Sequence, residues 1–233
     1  MDSVRSAAMT LDADDEALVA AVLAWGEANL RDLPWRRTRD PWAILVSETM
    51  LQQTQVARVV DRLPRFLERF PTPEACASAP AGDVVDEWSG LGYNRRPLNL
   101  HRAAVAMVER HGGRVPERLD DLLALPGVGP YTARAVRAFA HEQAAAVVDT
   151  NIGRVLARWA GHGFTPKAAQ VRADELAPVD RPCGVPRPRK RKRPRAAGAP
   201  RRAAGAPRRS ARRAAGRPAF IYPSASRFDR SGI

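Results

Sequence analysis

At 233 residues, 45% of them hydrophobic, the chain has material for one sizeable core, divided at most into two lobes. No apolar run reaches the length of a membrane span, and Asp12, Asp14, Asp15 and Glu16 stand where a secretory signal needs an apolar stretch, so a cytoplasmic monomer that engages no membrane is expected. The net charge of +13 suggests a polyanionic partner, but residues 181–233 carry 17 of the 38 Lys and Arg and one of the 25 acids, which leaves 1–180 with 21 basic against 24 acidic residues. Basicity is thus a property of the tail, and motifs must carry any argument about nucleic acid.

In chain order, Leu18, Val22, Leu23 and Trp25 mark a first amphipathic helix leading into the Asp32-Leu33-Pro34-Trp35 turn. A second helix begins near Pro41 and runs through Ile44, Leu45, Met50 and Leu51 to Val59. Further helices are expected at 61–70, 73–78, 81–88, 97–111, 118–124, 130–140 and 150–160. No useful alternating pattern marks a strand, so the fold class is all-α.

After Pro178 the chain consists of Arg, Pro, Ala and Gly with a near-repeat of AAGAPRR, and 181–233 is expected to be a disordered, low-complexity tail. Two readings stand side by side: a basic arm that tracks phosphates, or translation of a shifted frame, since these four residues have the most GC-rich codons.

The sharpest local signal is LDDLLALPGVGPYTARAVRAFA. A short helix at 119–124 meets a tight turn, Leu125-Pro126-Gly127-Val128-Gly129, and Pro130 opens a second helix where its missing N–H costs nothing. Gly127 and Gly129 allow close approach to the backbone. The free N–H groups beside Tyr131 and Thr132 at the helix start suit a phosphate. Leu122, Leu123, Leu125, Val128, Ala133 and Val136 are expected to hold the two helices together. An ordinary Gly-closed helical hairpin has the same pattern.

Two carboxylates lie in suggestive settings. Glu48 falls in a mostly apolar stretch, which raises a carboxyl pKa and suits it to donate a proton, although a surface or capping Glu is the plainer alternative. Asp149 precedes Asn151-Ile152 as a helix N-cap would. Gln52, Gln53, Thr54 and Gln55 follow Glu48 as a polar run, either a solvated face or groups that replace base-pair hydrogen bonds when a base leaves the stack. Trp42 and Trp88 read as core. Cys76 and Cys183 read as free thiols.

LPGVGPYTARAV resembles the helix-hairpin-helix of the endonuclease III superfamily of DNA glycosylases, and VVDTNIGRVLAR resembles its catalytic-aspartate segment. DLPWR, SETMLQQTQV, WSGLGYNRR, NLHRAA and HGGRVP follow in family order over roughly 16–178. The resemblance implies a helix-hairpin-helix glycosylase fold, with a six-helix barrel over 34–142 that contains the hairpin at 119–140 and a second, incomplete helical lobe from 14–33 with 143–178, and it implies a double-stranded DNA partner. It implies hydrolysis of the glycosidic bond of adenine mispaired with 8-oxoguanine or guanine. On it, Glu48 protonates the adenine, Asp149 stabilises the sugar cation, and Tyr131 stands where bifunctional lyases carry a lysine. Gln52 is the intercalating residue, Arg31, Leu33, Trp35 and Arg36 resemble the adenine-pocket wall, and Gln53, Thr54, Tyr93, Gly127, Gly129 and Thr132 complete the DNA contacts. Thymine or uracil mismatch removal, an endonuclease III-like activity, and an inactive truncated DNA-binding remnant are the competing expectations.

Similar proteins also carry a 4Fe–4S cluster on four cysteines and a C-terminal domain that reads oxidised guanine. Cys183 alone stands in the corresponding region, so the metal set cannot be assembled from this chain. Apolar faces of 14–30 and 150–160 are expected to be left open.

Overall fold

The computed structural model describes residues 11–177, and every regular element among them is helical. Ten α-helices follow in order: α1 (Ala13–Asn29), α2 (Pro41–Leu51), α3 (Val56–Arg69), α4 (Pro73–Ser78), α5 (Ala81–Glu87), α6 (Arg95–His111), α7 (Leu119–Leu123), α8 (Pro130–Phe139), α9 (Thr150–Ala160) and α10 (Pro166–Leu176). A 3-10 turn, Pro34–Arg37, lies between α1 and α2. The tail and Cys183 lie outside the described residues.

Local chemistry sets the helix starts. Asp12, Asp40, Thr72, Asp149 and Thr165 each cap a helix by accepting a hydrogen bond from a backbone N–H of its first turn. Pro begins α2, α4, α8 and α10, where no partner is lost.

Helix α2 is the hub. Trp42 to Met50 are nine consecutive buried residues, so this helix is enclosed on all faces rather than amphipathic. It packs against α3, α6, α8 and the 3-10 turn. The main core gathers around it from Ile44, Leu45, Met50, Val59, Phe66, Trp88, Leu100, Met107, Leu122 and Val136. Trp42 and Trp88 are buried, as expected, and the Trp42 indole N–H donates to Phe70 O at 2.9 Å. A second, smaller apolar cluster joins Leu156 of α9 with Ala169, Ala173 and Leu176 of α10, flanked by Leu18 and Val19 of α1.

Three sequence-based expectations need correction. The single helix expected from Pro41 to Val59 is two helices, because Gln53 adopts φ +54° and breaks the run between Leu51 and Val56; α3 therefore starts five residues before the expected 61. Leu123 is exposed instead of holding the hairpin, since α7 is a single turn whose buried face is taken by Leu122. Helix α10 was not expected from the sequence. In α1, Val22 and Trp25 are exposed although they marked its apolar face, whereas Leu18 and Val19 pack. Ile152, Val155 and Trp159 of α9 are likewise exposed, which agrees with the expectation of open apolar faces on these two helices.

The two hairpin glycines prove unequal. Gly127 has φ +78°, and a Cβ placed there would sit 2.7 Å from Asn99 Cβ on α6. Gly129 has an ordinary extended backbone as the N-cap of α8, and a Cβ there would meet nothing within 4 Å. A G127A substitution is therefore expected to lower stability by about 2 kcal/mol or more, whereas G129A should stay within about 1 kcal/mol of the parent. Urea unfolding of the two variants checks this; equal losses would contradict it.

Candidate active site

The hairpin and α2 build one wall of a cavity of ≈ 810 Å³. Glu48, Gln52 and Gln53 reach it from α2 and the turn beyond, Tyr131 from the start of α8, and Asp149 from the start of α9. Arg31, Leu33, Trp35 and Arg36 reach it from the segment around the 3-10 turn, and Tyr93 from the loop before α6. Ten sequence-nominated residues thus surround one space. Gly127, Gly129, Thr54 and Thr132 are not in its lining.

Glu48 is 7% exposed. Its position on the enclosed helix is what removes it from water, and burial raises its pKa to about 7, against a smaller downward pull from the Arg36 guanidinium. The group is therefore poised to hold a proton near neutrality and give it up.

Asp149 contrasts with it. It is exposed, and its carboxylate is the N-cap of α9: Oδ1 accepts from the backbone N–H groups of Asn151 at 2.9 Å and Ile152 at 2.8 Å, and Oδ2 accepts from the Asn151 side-chain amide at 3.1 Å. These bonds fix the direction of the carboxylate at the start of the helix. The capping reading of Asp149 holds, and the same residue lines the cavity.

The segment that delivers Asp149 is tied down from α10. Asp174 Oδ1 accepts from Ala146 N at 3.2 Å and from Arg134 of α8 at 2.7 Å, and the Gln170 amide donates to Ala146 O at 3.1 Å. An Arg172–Asp15 ion pair joins α10 to α1. Asp174, Gln170 and Arg134 gave no sequence signal, because their role exists only once α8 and α10 are side by side.

The phenol of Tyr131 is pushed to a higher pKa by burial, and further by the carboxylates of Glu48 and Asp149. It therefore stays neutral and keeps its O–H. Thr132 is buried, with its hydroxyl accepting from the Gln52 amide at 3.3 Å, so its side chain links α8 to the turn after α2. Gln53 is exposed at the tip of that turn. The Thr54 hydroxyl is half-buried and donates toward Gln52 O at 3.3 Å and Leu91 O at 3.4 Å.

Arg39, Arg95 and Arg96 also line the cavity, as do Ile44, Ser47, Leu51, Val56 and Phe139. None was singled out from sequence. With Arg31 and Arg36 this makes five arginines around the space against two carboxylates, a local positive field in a stretch of chain whose bulk charge is slightly negative.

The residues do not fit an iron–sulfur cluster. The full chain has two cysteines. Cys76 is fully buried in the main core with its thiol pushed up to about 12 by burial, which disfavours the thiolate that ligation needs. Among the described residues no group of three or more His, Cys, Asp or Glu is placed to hold a metal ion. Nor is any helix among them long and apolar enough to cross a membrane.

Residues 46–180 match the family of HhH-GPD superfamily base excision DNA repair proteins. The chain is 49% identical over 161 residues to the adenine DNA glycosylase of Mycobacterium tuberculosis (strain CDC 1551 / Oshkosh), covering 67% of this chain and 53% of that protein. It is 47% identical over 152 residues to the adenine DNA glycosylase of Mycolicibacterium smegmatis (strain ATCC 700084 / mc(2)155), covering 65% and 52%. It therefore spans about half the length of these curated relatives. Among solved structures, a thermostable thymine-DNA glycosylase superposes with a TM-score of 0.68 at 30% identity, over 73% of this chain and 83% of that one. The matched segment covers more than half of the chain and contains Glu48, the hairpin and Asp149, so the chain belongs to the HhH-GPD superfamily of base excision DNA repair proteins.

Proposed function

We propose that this protein is a monofunctional DNA glycosylase that hydrolyses the glycosidic bond of adenine mispaired with 8-oxoguanine or guanine in double-stranded DNA. The observation that carries the reading is the pairing of unlike carboxyls across one cavity: a buried Glu48 with pKa about 7 and an exposed, N-capping Asp149. Adenine leaves poorly as an anion. Glu48 donates its proton to a ring nitrogen of the extruded base, the C1′–N bond breaks, and its electron pair goes to the departing neutral adenine. Asp149 stabilises the cationic sugar, as the second carboxylate does in retaining glycosidases. Water then adds to C1′ and returns a proton to Glu48. The Tyr131 hydroxyl donates between the two acids and has no amine with which to form a Schiff base; the chain's first lysine is Lys167, on α10.

In this reading 34–142 is the barrel that carries the hairpin, and 14–33 with 143–178 is the second lobe that presents Asp149. Arg31, Leu33, Trp35 and Arg36 wall the base, and Gln52, Gln53, Thr54 and Tyr93 engage the opened duplex. Gly127, Gly129 and the start of α8 hold a phosphate. Thymine removal from a mismatch is the second reading, favoured by the likeness to a thymine-DNA glycosylase structure. Single-turnover assays on duplexes with adenine opposite 8-oxoguanine and thymine opposite guanine separate the two. Release of adenine and not thymine is expected; the reverse sinks the adenine reading.

Glu48→Gln should abolish adenine release, by about a thousandfold or more, with duplex affinity retained in a gel-shift titration. Wild-type turnover should fall as pH rises through about 7, where the acid loses its proton. The same group makes stability pH-dependent without any substrate. Its folded-state pKa lies above the ordinary 4.5, so the folded state binds the proton more tightly. The associated stability is complete below pH about 4.5 and is lost as pH rises through about 7, amounting to about 3 kcal/mol. Unfolding curves for wild type should show this loss and those for E48Q should not.

Asp149→Asn distinguishes capping from chemistry. Asn caps as well as Asp, so the thermal midpoint should hold while the single-turnover rate falls by at least about a hundredfold. A variant that keeps its rate would remove Asp149 from the mechanism.

A further inference from the structure

Arg96 occupies a position that its own helix does not favour. It is the second residue of α6, where the positive end of the helix dipole opposes a cation, and burial lowers its pKa from the ordinary guanidinium value. The compensation is one fork of hydrogen bonds. Nη1 donates to Thr49 O at 3.0 Å, Met50 O at 3.0 Å and Gln52 O at 2.6 Å. Nη2 donates to Thr54 Oγ1 at 3.1 Å, Leu91 O at 2.9 Å and Gly92 O at 3.0 Å. The guanidinium carbon also lies 5.6 Å from the Trp88 ring centroid and 5.4 Å from that of Tyr93.

These acceptors form two groups. Thr49, Met50 and Gln52 supply the carbonyls at the C-terminal end of α2, which carry partial negative charge and lack partners within their own helix. Leu91 and Gly92 supply the loop before α6. Each group borders a non-glycine residue in the left-handed region, Gln53 at φ +54° and Tyr93 at φ +54°. Such backbones cost about 1–3 kcal/mol each and persist only where their surroundings dictate them. Both residues are exposed and line the cavity. One guanidinium thus joins the two strained turns at the rim.

We infer that Arg96 is a positioning residue that holds the Gln52–Thr54 turn and Tyr93 in the conformation that opens the duplex, and that it acts on base extrusion rather than on bond cleavage. The inference rests on the adenine glycosylase reading above. A lysine keeps the charge but supplies three donors on one atom, and cannot reproduce a planar fork directed at two loops.

The test compares wild type with Arg96→Lys on two duplexes, one with adenine opposite 8-oxoguanine and one with adenine opposite an abasic site, where the base is already unpaired. The R96K single-turnover rate should fall by about tenfold or more on the first and by less than about threefold on the second. A duplex carrying 2-aminopurine at the target position should brighten on binding wild type and change much less on binding R96K at saturation. Equal losses on both duplexes, or no loss on either, would overturn the inference. Thr54→Val leaves the guanidinium in place and removes one acceptor. It should shift the ratio of the two rates in the same direction, and an unchanged ratio counts against the inference even where R96K fails to fold. Wild-type protein that releases adenine from neither duplex overturns the adenine reading and this inference with it. Adenine release by wild type with an unchanged R96K ratio overturns this inference alone.

Discussion

A carboxyl group is expensive to enclose in a helix that has no solvent face, and α2 encloses one. Glu48 is one of nine successive buried residues packed against α3, α6, α8 and the 3-10 turn, and the cost of its charged form is what lifts its pKa to about 7. The packing that makes α2 the centre of the main core and the ionisation that makes Glu48 an acid are therefore one effect. A looser core around α2 would admit water and return the group to an ordinary carboxylate. Asp149 is exposed instead, and its oxygens accept three hydrogen bonds at the start of α9. The fold separates two chemically identical groups by giving one a desolvated helix interior and the other a helix terminus.

Much of this is legible in sequence because it is local. Pro130 after Gly129 marks the start of α8, Asp149 before Asn151-Ile152 marks a cap, and both stand where expected. Glu48 between Leu45-Val46 and Met50-Leu51 announces burial without the third dimension. The break at Gln53 is not legible, since Leu51-Gln52-Gln53-Thr54-Gln55-Val56 contains no Gly or Pro and no ordinary breaker. The left-handed turn there is held by Arg96, 42 to 47 residues away along the chain from its α2-side acceptors. Leu123 illustrates the same limit on a smaller scale: a one-turn helix has too few residues for periodicity to identify its buried side.

Charge shows where a bulk property misleads and a local one does not. Residues 1–180 are slightly acidic overall, which taken alone speaks against a polyanion as partner. Yet Arg31, Arg36, Arg39, Arg95 and Arg96 all line the cavity that holds the two acids, Arg39 in an ion pair with Glu142, while acids such as Asp83, Glu87 and Asp174 are paired with arginines away from that lining. A low-dielectric cleft concentrates the field of the charges that line it. The distribution of the arginines, and not their number, sets the charge that this cavity presents.

The arginines around the cavity also divide by role. Arg36 lies close enough to Glu48 to pull its pKa down against burial, so it moderates the acid: without it, desolvation alone would hold the proton more tightly and make it harder to give away. Arg96 spends its donors on carbonyls of two loops and one hydroxyl, leaving little capacity for a phosphate. One arginine therefore tunes the acid through its charge alone and another fixes the rim through its geometry, and only the second task needs the planar fork that a lysine lacks.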